Sequence, residues 1–364
     1  MHDDLVSRTG MVLVYGAAGH TGRFIVGELL SRGLRPVLAG RDPARLESLA
    51  VRHPTLEQRA FALDSPTPLR TALTGSTVVI NAAGPFADTA LPLAEAAISV
   101  GAHYLDVSAE QDSVRRLLRD CDAPARAAGV TAVPAMAFFG GLPDLLATAL
   151  LGHERGEFDV RVAMWIDRWW PTAGTRETGR RNAGHRWVLT NGEFTPFTAD
   201  DPGQTWLFAP TVGRQAVVEM PFSEVMTIAQ HLPVRSVRSY LGARALADVR
   251  DRSTPPPTPI DDRGRSRQRF IVEVEASGRG SRRRISALGR DIYASSAPIV
   301  VEGALRLLRG EALGMGALAP GEAFDARTML SALGRSDLTI CEPSERSPNH
   351  DDSFDAPPSQ LSAR

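Results

Sequence analysis

Three glycines, Gly16, Gly19 and Gly22, spaced three apart, follow the apolar run Val12–Val14 and lead into an apolar-periodic stretch that reaches Leu30. That spacing is how a strand, a tight turn and a helix N-terminus are written. Glycine lets the backbone come close to a pyrophosphate, whose charge is stabilised by the free N–H groups and dipole of the helix start. Ala18, His20 and Thr21 complete the turn, so the segment from Gly16 to Gly22 is read as a dinucleotide site. The second strand, read over 36–39, ends at Gly40 and Arg41, with Arg45 one helical turn further on. A carboxylate at that strand end suits a free ribose 2′-hydroxyl, whereas a cation suits a 2′-phosphate. The planar guanidinium favours NADP over NAD, unless Arg41 and Arg45 only lie on a solvated helix start.

Other groups at strand ends could act on the cofactor or its substrate. Ala82, Ala83 and Gly84, in NAAGPF, would pass against the cofactor after the fourth strand, while Pro85 and Phe86 would contact it or only shape the loop. Asp64 could accept from an adenine amino group or cap the next helix. Asp106 and Ser108, with Glu110 beyond them, end the fifth strand. Asp106, poorly solvated there, could carry a raised pKa and act as an acid, with Ser108 beside it, or both could cap the following helix. His20 would touch phosphate or pack on the turn. His185 sits in a loop region with Arg176, Arg180, Arg181 and Arg186, which would hold a substrate carboxylate or phosphate or be surface only.

These residues need a frame to position them. Alternating strand and helix signals through residue 150 predict a doubly wound parallel sheet of the Rossmann type. The expected strands lie at 58–63, 77–81, 103–108 and 130–136, and the expected helices at 91–100, 110–128 and 143–151. From 158 to 288 tryptophans, loops and alternating segments suggest an inserted, mainly antiparallel α+β domain. Its clearest element is a hairpin around Ser277–Ser281, half-buried by its alternation, with Arg282–Arg284 on a solvated face. The run TPPPTP at 254–259 reads as a mobile loop or linker. The boundaries expected are 10–152 for the nucleotide domain, 153–289 for a substrate and dimerisation domain, 290–341 for helices returning to the first domain, and 342–364 for a disordered tail rich in Ser, Pro and Asp.

Composition excludes several classes. With 41 basic and 42 acidic residues among 364, no bulk attraction to nucleic acid follows. No stretch approaches a membrane span or a signal-peptide core, so a cytoplasmic location is expected. Cys121 and Cys341 belong to no metal or redox spacing, and no metal site is expected. Every basic residue is an arginine. No lysine can therefore form a Schiff base or serve in a Tyr-x-x-x-Lys pair, which removes the usual short-chain dehydrogenase chemistry.

GAAGHTGRFIVGELL, AGRDPARLESLA, VVINAAGPF and GAHYLDVSAEQ, in this order and spacing, resemble the saccharopine-dehydrogenase-like NADP-binding reductase family, including its trans-acting enoyl reductase branch. The closing GALAPGEAFDARTM is similar to that family's C-terminal end. Similarity is strong over 10–152, moderate over 292–334 and slight between. The resemblance implies an NADP-binding Rossmann domain interrupted by a substrate and dimerisation domain, acting on a small molecule, with a homodimer as one arrangement. Lysine-releasing members are described with a Lys and His acid-base pair, and this chain lacks the lysine. The expected function is NADPH-dependent reduction of a polarised C=N or C=C bond. The alternatives are an NADP-dependent dehydrogenase of an amine or alcohol, and a non-catalytic NADP-sensing regulator.

Overall fold

The computed structural model describes residues 10–64, 66–152, 154, 156–181, 186–198, 204–334 and 338–346. The chain opens with β1 (Met11–Tyr15), α1 (His20–Ser31), β2 (Val37–Gly40), α2 (Pro43–Ala50), β3 (Gln58–Ala60), α3 (Pro66–Leu73) and β4 (Ser76–Asn81). It continues through α4 (Phe86–Ser99), β5 (His103–Asp106), α5 (Gln111–Asp120), α6 (Asp122–Ala128), β6 (Thr131–Val133) and α7 (Gly141–Leu151). Val12, Leu13 and Val14 are buried on both faces of β1, as a parallel strand covered by helices on each side requires.

The second part contains β7 (Phe158–Ile166), α8 (Ala173–Arg181), β8 (Trp187–Thr190), β9 (Glu193–Pro196), β10 (Gln204–Leu207), β11 (Arg214–Glu219), α9 (Glu224–His231) and β12 (Val234–Gly242). After α10 (Ala243–Arg250) come the long strands β13 (Arg269–Gly278) and β14 (Ser281–Arg290). The closing elements are α11 (Ile292–Leu308), β15 (Gly316–Ala317), α12 (Pro320–Ala323), α13 (Ala326–Leu333) and β16 (Thr339–Arg346).

Two sheets form among the described residues. The first has seven parallel strands in the order β15-β6-β5-β4-β1-β2-β3, so the order reverses between β1 and β4. Ligands of such sheets bind in the crevice at that switch point. The second sheet is mainly antiparallel, as expected, with one exception among the described pairs: β12 and β7 pair in parallel at its centre. Helix α11 packs on α1, β4 and β5, and β15 extends the first sheet beside β6.

Several boundaries differ from the sequence expectation for definable reasons. The helix expected over 110–128 breaks at Cys121, because Pro124 has no N–H to give Asp120. Helix α4 starts at Phe86 rather than near 91, because the Glu110 carboxylate accepts the N–H of Phe86 at 2.9 Å and of Ala87 at 2.8 Å. The β13–β14 hairpin turns through Arg279 and Gly280, with φ of 54° and 75°, the pair of left-handed residues of a two-residue turn. It is not half-buried: Glu273 and Glu275 are 2% and 1% exposed. Nor do Arg282–Arg284 form a solvated face, since Arg284 is buried and reaches Glu273 at 2.7 Å and Glu275 at 3.0 Å. The loop at 254–259 is anchored at its start, where the Thr254 carbonyl accepts from Arg176 at 2.6 Å. Strand β16 runs past the break placed at 342, as far as Arg346, paired with β14. The rest of the expected tail, like His185, lies outside the described residues.

Candidate functional site

The glycine turn is built by close backbone contact. Gly16 has φ of 84°, and a Cβ there would come within 2.9 Å of Ala82 and Ala83 across the switch point. A Cβ on Gly22 would sit 2.1 Å from the Gly16 carbonyl oxygen, so glycine lets the first turn of α1 close against the loop. The N–H groups of Gly16 and Ala17 bond to the Ala39 carbonyl, which fixes the turn to β2. Helix α1 begins at Gly19 with no side-chain cap and no acid in its first turn, leaving its positive end to an outside anion.

The opposite wall is held by Asn81. Its Oδ1 accepts the Ala83 N–H at 3.0 Å while its Nδ2 donates to Tyr104 at 3.1 Å and Thr89 at 3.2 Å. Ala82, Ala83 and Gly84 are thereby presented along the crevice. At the end of β2, Arg41 is exposed, and Asp42 spends its carboxylate on the N–H groups of Ala44 and Arg45 as the cap of α2. Arg45 lies over the turn, its Nη2 3.5 Å from the Ala18 carbonyl.

A cleft of about 1650 Å³ runs from this turn to the second sheet, lined at one end by Gly16, Ala18, Gly19, His20, Thr21, Arg41, Arg45 and Ala82–Gly84. At the other end Phe139 stacks on Trp169 with centroids 5.6 Å apart and meets Phe222 at 4.2 Å. Tyr293, at the start of α11, joins the two ends. Its hydroxyl accepts from Trp169 Nε1 at 3.0 Å and the Thr172 N–H at 3.3 Å, and shares a hydrogen bond with Thr175 at 2.8 Å. Its ring meets His20 edge-on.

Residues 12–133 match the family model of the saccharopine dehydrogenase NADP-binding domain. Over that stretch the chain is similar to a saccharopine dehydrogenase NADP-binding domain. A probable mitochondrial saccharopine dehydrogenase-like oxidoreductase of Arabidopsis thaliana is 31% identical over 121 residues, a stretch that covers 29% of this chain and 27% of that protein. The match thus spans about a quarter of that relative's length. Beyond the NADP-binding domain, the whole chain follows the fold of apo saccharopine dehydrogenase (L-Glu forming) from Saccharomyces cerevisiae. The TM-score is 0.65 at 12% identity, over 93% of this chain and all of that one.

The NADP-binding domain fits its cofactor on structural grounds: the uncapped end of α1 faces the crevice at the switch point, and the cation at the end of β2 is exposed and lines the cleft. Of the residues singled out in the sequence, Gly22 acts through packing rather than by lining the cleft, and Asp64 is exposed and does not line it. His20 packs between Phe24 and Tyr293, its Nε2 buried with no hydrogen-bond partner among the described residues, and burial lowers its pKa.

The structure does not bring Asp106 and Ser108 to the cleft. Both are fully buried. Asp106 Oδ1 accepts the N–H of Ala135 at 2.7 Å and of Ser108 at 3.0 Å, and its Oδ2 accepts the Tyr104 hydroxyl at 3.1 Å. Burial raises its pKa to about 6, as the sequence reading anticipated, but those bonds tie the carboxyl to neighbouring turns. Ser108 Oγ accepts the Glu110 N–H at 3.1 Å. Glu110 itself is buried at the start of α4, where it also receives the Thr178 hydroxyl at 3.3 Å. Burial away from the cleft lining and these bonds favour the alternative in which Asp106 and Ser108 hold the turns after the strand.

Sequence reasoning did not find Tyr293, Phe139, Trp169 or Phe222, which come from segments far apart in the chain. The one available signal was the Trp169-Trp170-Pro171 run, an apolar cluster at the end of a strand.

Proposed function

We propose that the chain is an NADPH-dependent oxidoreductase that reduces a polarised C=N or C=C bond of a small molecule. What carries this reading is the continuity of one cleft from the glycine turn, past Ala82–Gly84, to the wall of Phe139, Trp169 and Phe222. A nucleotide held at the turn and a substrate held at the wall would meet within it.

Gly16, Ala18, Gly19, His20 and Thr21 would hold the pyrophosphate against the α1 N-terminus, and Gly22 would let the helix approach. Arg41, assisted by Arg45, would take the 2′-phosphate, and Ala82–Gly84 would flank the nicotinamide side. The bound cofactor supplies the electron pair, so the protein's task is orientation and exclusion of water. The aromatic wall performs the second task and fixes a planar group by stacking.

The test is loss of NADPH absorbance with a panel of imine, enoyl and carbonyl compounds. Turnover of an imine or enoyl compound supports the proposal. Tight NADPH binding with no turnover on any member would replace it by an NADP-sensing role. Among the described residues no helix is long and apolar enough to cross a membrane.

A further inference from the structure

The far half of the cleft is apolar around a single largely buried cation. Phe139, Trp169, Met220, Phe222, Leu246 and Val249 line it together with Arg186. The guanidinium of Arg186 lies 5.0 Å from the ring centroid of Phe222 and donates to the Pro221 carbonyl. Among the described residues no carboxylate pairs with it.

The other arginines of that half are differently placed. Arg176 is bound to the carbonyls of Asp251 and Thr254, and Arg180 and Arg181 pair with Glu177, Arg181 also with Asp88. Arg250 and Arg252 are exposed at the mouth. Glu224 is near enough to raise the pKa of Arg186 electrostatically, but it is fully buried outside the cleft lining, its Oε1 bonded to the Phe222 N–H and the Ser239 hydroxyl and its Oε2 without a hydrogen-bond partner among the described residues. Burial pushes its carboxyl toward the neutral form. Burial and the charge of Arg250 lower the pKa of Arg186, although a guanidinium stays charged. A cation so desolvated, lining a cleft and with no described carboxylate within ion-pair distance, is a place for an anion.

Equally informative is what the cleft does not offer. Its described carboxylates are Asp42, spent on capping α2, and Asp88, taken by Arg181. Neither is left for an ammonium group, and the rest of the described lining offers apolar groups, neutral hydroxyls and arginines. We infer that the substrate half accepts an apolar acid with a planar segment, its one anionic group seated on Arg186 and no ammonium group. Calling this ligand the substrate rests on the reductase reading; the binding site itself does not.

Calorimetry on the full chain, with and without NADPH, compares trans-cinnamate with its neutral amide, cinnamamide, and with zwitterionic phenylalanine. Cinnamate should bind at least about ten-fold more tightly than either, the scale of one charge-assisted hydrogen-bonded pair. Arg186→Met should abolish that preference, and Arg186→Lys should keep part of it. Equal affinity for acid and amide, stronger binding of phenylalanine, or no cinnamate binding at millimolar concentration would overturn the inference. If Arg186→Met fails to fold, the ranking of the three compounds on the parent decides alone. NADPH binding, followed separately by nicotinamide fluorescence, bears only on the reductase reading, so the two can fail independently.

Discussion

The imidazole of His20 meets the ring of Tyr293 edge-on, with centroids 5.2 Å apart and planes at 88°. One ring belongs to the glycine turn and the other to the helix that follows the second sheet. The hydroxyl of Tyr293 then fastens Trp169, Thr172 and Thr175, so the two ends of the cleft share one aromatic joint.

Tyr293→Phe keeps the edge-on contact and removes the hydroxyl. Trp169, Thr172, Thr175 and the Trp170 carbonyl lose their common partner, at a cost of about 1–3 kcal/mol. The melting temperature should fall and ligands of the aromatic wall should bind more weakly, while NADPH affinity stays unchanged. A loss of NADPH binding without thermal destabilisation would show that the hydroxyl serves the nucleotide instead.

Arg41→Asp puts a carboxylate where the 2′-phosphate is expected. NADPH should weaken roughly 10- to 100-fold, the range for losing one charge-assisted contact, with NADH much less affected. Fluorescence titration with both nucleotides measures the ratio. Unchanged discrimination in the variant would remove Arg41 from the cofactor site.

Asp106 predicts a pH dependence of stability. Its folded pKa, raised to about 6 by burial, exceeds the unfolded carboxylate value of 3.8, so the native state binds the extra proton between those limits. Stability from this group is therefore present below about pH 4 and is lost as pH rises through 6, by on the order of 3 kcal/mol. Asp106→Asn also weakens the turn, which cannot keep all its bonds. Its stability relative to the parent should nevertheless improve between pH 4 and 7 in urea unfolding. A pH-independent difference would contradict the assignment.

Arg284→Ala removes the guanidinium that pairs with Glu273 in the second sheet, while Glu275 keeps Arg161 and Arg282 beside it. Removing one partner of a buried ion pair costs about 3–5 kcal/mol. Trp206, whose Nε1 donates to Glu273 at 2.7 Å, should report the same transition by fluorescence. A loss below 1 kcal/mol, the scale of an exposed pair, would mean that the site is solvated.

The sequence by itself determined the nucleotide half of this protein. Gly16, Gly19 and Gly22, the strand before them, the helix after them and Arg41 all fall within one short window, where backbone geometry and local charge dictate structure directly. The parallel sheet followed from the same alternation of apolar runs and amphipathic stretches. Tertiary structure decided what each side chain at a strand end does. Asp106, legible as a carboxylate with a raised pKa, is held in the turns after its strand because Tyr104, Ser108 and Ala135 converge on it. Glu110 caps a helix 24 residues earlier in the chain, which no local pattern records. Phe139, Trp169, Phe222 and Arg186 become one surface only when β7, β8 and α9 are packed together. Their chemistry depends on burial and on the distance to the next charge, and both are properties of the folded chain.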